Sequence, residues 1–162
     1  MRIGQVIGHG DLWVEGDLLC GSFNFIGHVH VTGHIVCDTS FQHTGSLDCR
    51  SLEAGELLDL HESTISVVAM YSPLITIHGF QSPLLNRLGT EHERLDTPVG
   101  SISCRELKAG DLQCASVEAD DVELTGSCRV EKVTYGKDIR YNRGSVIGSI
   151  RKDDGERQAR TA

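Results

Sequence analysis

A chain of 162 residues and 17.7 kDa suffices for one domain with a sizeable core and is too short for two ordinary domains joined by a linker. Aromatic residues make up only 5% while glycine is frequent at 18 residues, so Leu, Ile, Val, Ala and Cys must fill the core. A formal charge of −8 argues against nucleic acid as a partner, and no apolar run reaches the ~18 residues of a transmembrane helix.

The start, Met1 to Val6, lacks the apolar centre of a signal peptide, which gives the expectation of a cytoplasmic protein with its six cysteines reduced. From Gly10 onward a five-residue phrase recurs: glycine, a polar residue, an aliphatic one, any residue, then Cys or Val. It reads Gly10-Asp11-Leu12-Trp13-Val14, Gly16-Asp17-Leu18-Leu19-Cys20, Gly27-His28-Val29-His30-Val31, Gly33-His34-Ile35-Val36-Cys37 and Gly45-Ser46-Leu47-Asp48-Cys49. It returns as Gly100-Ser101-Ile102-Ser103-Cys104 and Gly110-Asp111-Leu112-Gln113-Cys114, with a looser copy at Gly126-Ser127-Cys128-Arg129-Val130. A second phrase follows three of these, at Arg50 to Gly55, Arg105 to Gly110 and Ala115 to Asp120.

The third and fifth positions of the phrase are apolar and their neighbours vary, the period of a strand with one buried face. Glycine at each boundary lets the chain turn a corner, so strands of three to five residues are expected to alternate with bends. The pair of phrases at Gly10 and Gly16 recurs at Gly27 and Gly33, one coil of 17 residues later. A coil of short strands and corners is one turn of a parallel β-solenoid, whose turns stack strand over strand. This register puts Leu12 beneath Val29, Leu18 beneath Ile35 and Cys20 beneath Cys37 on the inside, with Trp13 beside His30 and Asp17 beside His34 on the outside.

Between Glu56 and Pro98 the phrase fades. Thr64 to Val67 and Leu74 to Gly79 still alternate and are expected to be strands, whereas 80–98 reads as a loop or a short helix started by Ser82-Pro83 and limited by Gly89. Arg151 to Ala162 has no large apolar residue and reads as a disordered polar tail. The expected fold is therefore all-β: a single parallel β-helix over 1–150 with one irregular excursion, followed by the tail at 151–162.

Chemistry is thinly signalled. Cys20, Cys37, Cys49, Cys104 and Cys114 share one repeat position with Val14, Val31 and Val130, which marks them as small core residues rather than the close pairs of a zinc site. No metal is assigned. His28, His30 and His34 are the nearest to metal ligands: His28 and His30 share the outer face of one strand, and His9, His43 or His61 would have to complete the set. There is no G-x-S-x-G elbow, no P-loop and no complete dinucleotide fingerprint, and Asp120-Asp121 and the Glu91/Glu93 pair read as solvated surface. No catalytic residue and no cofactor are expected.

The phrases G-D-L-x-C-x-x-L/V-x-A and G-x-Φ-x-V-x-G, carried by Gly10 to Cys20, Gly27 to Cys37, Gly45 to Gly55 and Gly100 to Gly136, resemble those of the bactofilins, bacterial polymer-forming cytoskeletal proteins. The resemblance implies a right-handed parallel β-helix that assembles end to end without nucleotide into a scaffold. On this reading the chain is a non-enzymatic protein whose partner is itself, and Ile3, Val6 and Ile7 at one end and Val146, Ile147 and Ile150 at the other are the candidate contacts. A second reading is a protein-binding module, of the inhibitor or immunity type, that uses 80–98. A third is a histidine-metal enzyme on a β-helix.

Overall fold

The structure, a computed structural model, describes residues 2–78 and 99–152. Eleven strands form one sheet: β1 (Arg2–Val14), β2 (Leu18–Val31), β3 (His34–Cys37), β4 (Ser40–Ala54), β5 (Leu57–Tyr71), β6 (Leu74–His78), β7 (Val99–Ser103), β8 (Glu106–Gly110), β9 (Gln113–Thr125), β10 (Arg129–Tyr141) and β11 (Val146–Lys152). Every pairing among the described residues is parallel, and no helix occurs among them. The chain is a β-solenoid. The expected excursion at 80–98 lies outside the described residues, as does 153–162. β11 runs to Lys152 and so takes in the first two residues of the expected tail, Arg151 and Lys152.

The register follows the repeat. Leu12 pairs with Val29, Leu18 with Ile35 and Cys20 with Cys37, each 17 residues apart. The coil lengthens to 18 residues where Phe23 meets Phe41, and a register shift between Thr44 and Ser46 absorbs a further residue in β5. Farther along, Met70 pairs with Ile102 and Ile75 with Leu107, so the strands before residue 79 stack in register with those after residue 98.

Strand length also departs in detail. The three-to-five-residue strands expected from the phrase are here joined into strands of up to 15 residues, with Gly10, Gly27 and Gly45 as corners inside them at φ of +110°, +130° and +120°. Successive coils bend at the same place, so the hydrogen-bonded ladder continues around the corner: Gly10 pairs with Gly27, and Gly27 with Gly45. The recurring aspartate of the phrase also has a structural task. Asp17 Oδ1 accepts a hydrogen bond from the His34 backbone N–H at 2.8 Å, and Asp111 Oδ1 accepts one from that of Ser127 at 2.7 Å, fixing the start of the next coil where the ladder lapses.

The core is a set of columns running the length of the stack. One holds Phe23, Phe41, Leu58, Ile75, Leu107 and Val122, with the rings of Phe23 and Phe41 stacked at 4.4 Å and 10°. Another is built of small side chains: Cys20, Cys37, Ala54, Ser72, Cys104 and Ala119, all buried. All six cysteines are buried and free, as expected for the five in the fifth position of the phrase. Cys128, in the aliphatic position of the loosest copy, is the sixth.

Candidate metal centre

The alternation that buries Val29, Val31 and Ile35 turns His28, His30 and His34 outward, and the register decides what each one meets. His28 shares a hydrogen bond with Ser46 of the next coil. His30 lies against the Trp13 ring at a centroid distance of 4.3 Å, and its Nδ1 is 2.8 Å from Asp48 Oδ2. The ring of His34 pairs with the Ser51 hydroxyl. The neighbours expected for His30 and His34 from the repeat, Trp13 and Asp17, are the ones observed. The three histidines are nevertheless held separately, and among the described residues no third ligand joins any of them.

Nor do His9 and His43 complete a set with these three. His9 is exposed on β1 opposite Ile26. His43 points into the core between Phe25 and Leu60, only 1% exposed, with Nδ1 3.0 Å from the Phe25 carbonyl and Nε2 2.9 Å from the Ser46 carbonyl. Burial holds its pKa below the usual histidine value, against the pull of the two carbonyls.

His61 does find partners, on a different surface. Leu58 and Leu60 point inward from β5, so Asp59 and His61 point outward. Ile75 and Ile77 do the same for Thr76 and His78 on β6. The pairing sets Asp59 beside Thr76 and His61 beside His78. The two imidazoles stack with centroids 4.2 Å apart and planes 5° from parallel. His61 Nε2 donates to Asp59 Oδ2 at 3.0 Å, His78 Nε2 lies 3.6 Å from Asp59 Oδ1, and the Thr76 hydroxyl donates to that same Oδ1 at 2.7 Å.

One carboxylate oxygen and two imidazole nitrogens thus lie within 4.8 Å of one another, the one such group among the described residues. Asp59 is the sheltered member, its side chain 20% exposed against 59% for His78. The next coil places Lys108 beside Thr76, with its ammonium 3.5 Å from Glu106. The sequence does carry a signal for the cluster: Asp59-Leu60-His61 and Thr76-Ile77-His78 share a pattern one coil of 17 residues apart. The glycine phrase is absent there, so the repeat does not point to it.

The cysteines form no comparable site. Burial pushes the thiols of Cys49 and Cys114 up to about 12 and also raises that of Cys128. Cys37, hydrogen-bonded to Cys20 across a Sγ to Sγ distance of 2.9 Å and buried, is likewise held above the usual thiol range.

The candidate assembly residues divide in two. Val6 and Ile147 pack against the core, and Ile3 and Ile150 stand at the ends of the inward columns that contain Cys20 and Val133. Ile7 and Val146 pair with Asn24 and Arg129 on the outer face, 70% and 62% exposed, because an outward residue follows or precedes each inward one. They lie on the flanks of the solenoid.

Among the described residues no helix is long and apolar enough to cross a membrane. No protein-family model, curated protein or solved structure matches the chain.

Proposed function

We propose that the chain is a non-enzymatic β-solenoid that associates end to end with copies of itself and serves as a bactofilin-like scaffold. The observation that carries the reading is the state of the two end coils. Among the described residues β1 pairs only with β2, and β11 only with β10, so each has one edge of unpaired backbone donors and acceptors.

Behind those edges the inward columns end in Ile3 and Val6 on one side and Ile147 and Ile150 on the other, all less completely covered than the equivalent residues inside the stack. A parallel stack has unlike ends. Joining β11 of one copy to β1 of the next extends the same ladder and repeats at every copy, the geometry of an open filament rather than a closed dimer. Negative-stain electron microscopy of the purified protein tests this: unbranched filaments or short rods of variable length are expected, and uniform single particles at high concentration would reject it.

A further inference from the structure

We propose that Asp59, His61 and His78 form a site for a divalent transition-metal ion of the zinc class. This goes beyond the scaffold reading and does not depend on it. Three observations support the site. The ligand atoms already converge, with both Nε2 atoms directed at the two oxygens of one carboxylate. The fold fixes the spacing, because His61 and His78 occupy paired positions on adjacent strands, and Asp59 is two residues from His61 on the same outer face. The carboxylate is oriented from outside the cluster by the Thr76 hydroxyl at 2.7 Å, the kind of supporting bond that aims a ligand at a metal.

The donor set selects the metal. Two imidazoles and one carboxylate suit zinc, nickel or copper(II), whereas calcium and magnesium prefer all-oxygen surroundings. A metal at Nε2 takes the place of the proton that His61 donates to Asp59, and that proton moves to Nδ1 by tautomerisation. The parallel rings turn toward a common point by rotating about their Cβ–Cγ bonds, which their exposure permits. Three protein ligands leave at least one coordination position for water or an added ligand.

The test is zinc titration of the full chain by calorimetry at pH 7.5, with cobalt(II) absorption as an independent report on coordination. One zinc per chain is expected. His78→Ala and Asp59→Asn should each weaken binding by at least ~100-fold, more than the loss of an outer-shell partner produces at known sites. They should also abolish the visible cobalt bands, while His28→Ala leaves both readouts unchanged. His78→Gln serves as a second variant should alanine disturb β6, and circular dichroism confirms that each protein is folded. Absence of stoichiometric zinc binding, or binding that survives His78→Ala and Asp59→Asn, would overturn the assignment. So would loss of binding in His28→Ala, which would move the site to the His28 surface.

Discussion

Alanine at Gly27 is expected to destabilise the protein considerably more than alanine at Gly10, although the two glycines occupy equivalent corners of adjacent coils. Both have φ in the region that L-residues avoid, +130° and +110°, so each substitution costs about 1–3 kcal/mol in backbone strain alone. They differ in what a new Cβ would meet. At Gly10 nothing lies within 4 Å, because that corner belongs to the first coil. At Gly27 the Cβ would sit 2.0 Å from the Gly10 carbonyl oxygen and 3.0 Å from the Gly10 N and C, all rigid backbone. Removing that overlap requires the coils to separate where Gly10 and Gly27 are paired, and overpacking of this kind costs a further ~1–3 kcal/mol. Gly45→Ala should resemble Gly27→Ala, since its Cβ would meet the Gly27 oxygen at 2.2 Å. Urea unfolding followed by far-ultraviolet circular dichroism measures the difference, with all variants at one protein concentration so that any concentration dependence is shared. Equal destabilisation by Gly10→Ala and Gly27→Ala would refute the stacked-corner account.

Other expectations concern the core. The thiols of Cys49 and Cys114, pushed up to about 12 by burial, should resist alkylation in native protein at neutral pH, and rapid labelling of either would contradict their inward placement. Cys49→Val should cost less than about 1.5 kcal/mol in urea unfolding, because valine fills the same column at Val31 and Val67. Ser72 is buried and its hydroxyl has no hydrogen-bond partner among the described residues, in a column otherwise made of Cys and Ala, so Ser72→Ala should stabilise by about 1 kcal/mol, and a loss of stability would show that the hydroxyl has a partner. His43 has a folded pKa below its unfolded value near 6.5, so the unfolded chain takes up the proton first and stability falls as pH drops through that value. His43→Phe should remove that part of the acid sensitivity between pH 8 and pH 5, and an unchanged pH slope in urea midpoints would reject the assignment.

The fold was legible because its repeat is short and its parity strict. One phrase fixed the inward residues, and one offset fixed the pairings of Leu12 with Val29 and Trp13 with His30, since a coil of constant length makes neighbours of residues at constant separation. The same parity also separates Val6 from Ile7 and Ile147 from Val146, and so places Ile7 and Val146 on the outer face. Strand length was less legible, because glycine marks a corner without saying whether the ladder breaks there, and in-step bending keeps it intact. The Asp59, His61 and His78 cluster was hidden for a different reason. Leu58, Leu60, Ile75 and Ile77 carry the coil through that stretch without a glycine phrase, so the outer residues they position had no repeat to align them.

Sedimentation velocity over a rising concentration series addresses the central claim, that uncovered end coils join copies of the chain. Wild type should shift to progressively larger species. Ile3→Lys and Ile150→Asp should sediment as folded monomers, because a charge at the end of an inward column is tolerated in water and costs several kcal/mol when buried unpaired in a joint. Val146→Asp, on the outer flank, should sediment like wild type. A wild-type chain that stays monomeric at every concentration would contradict the account.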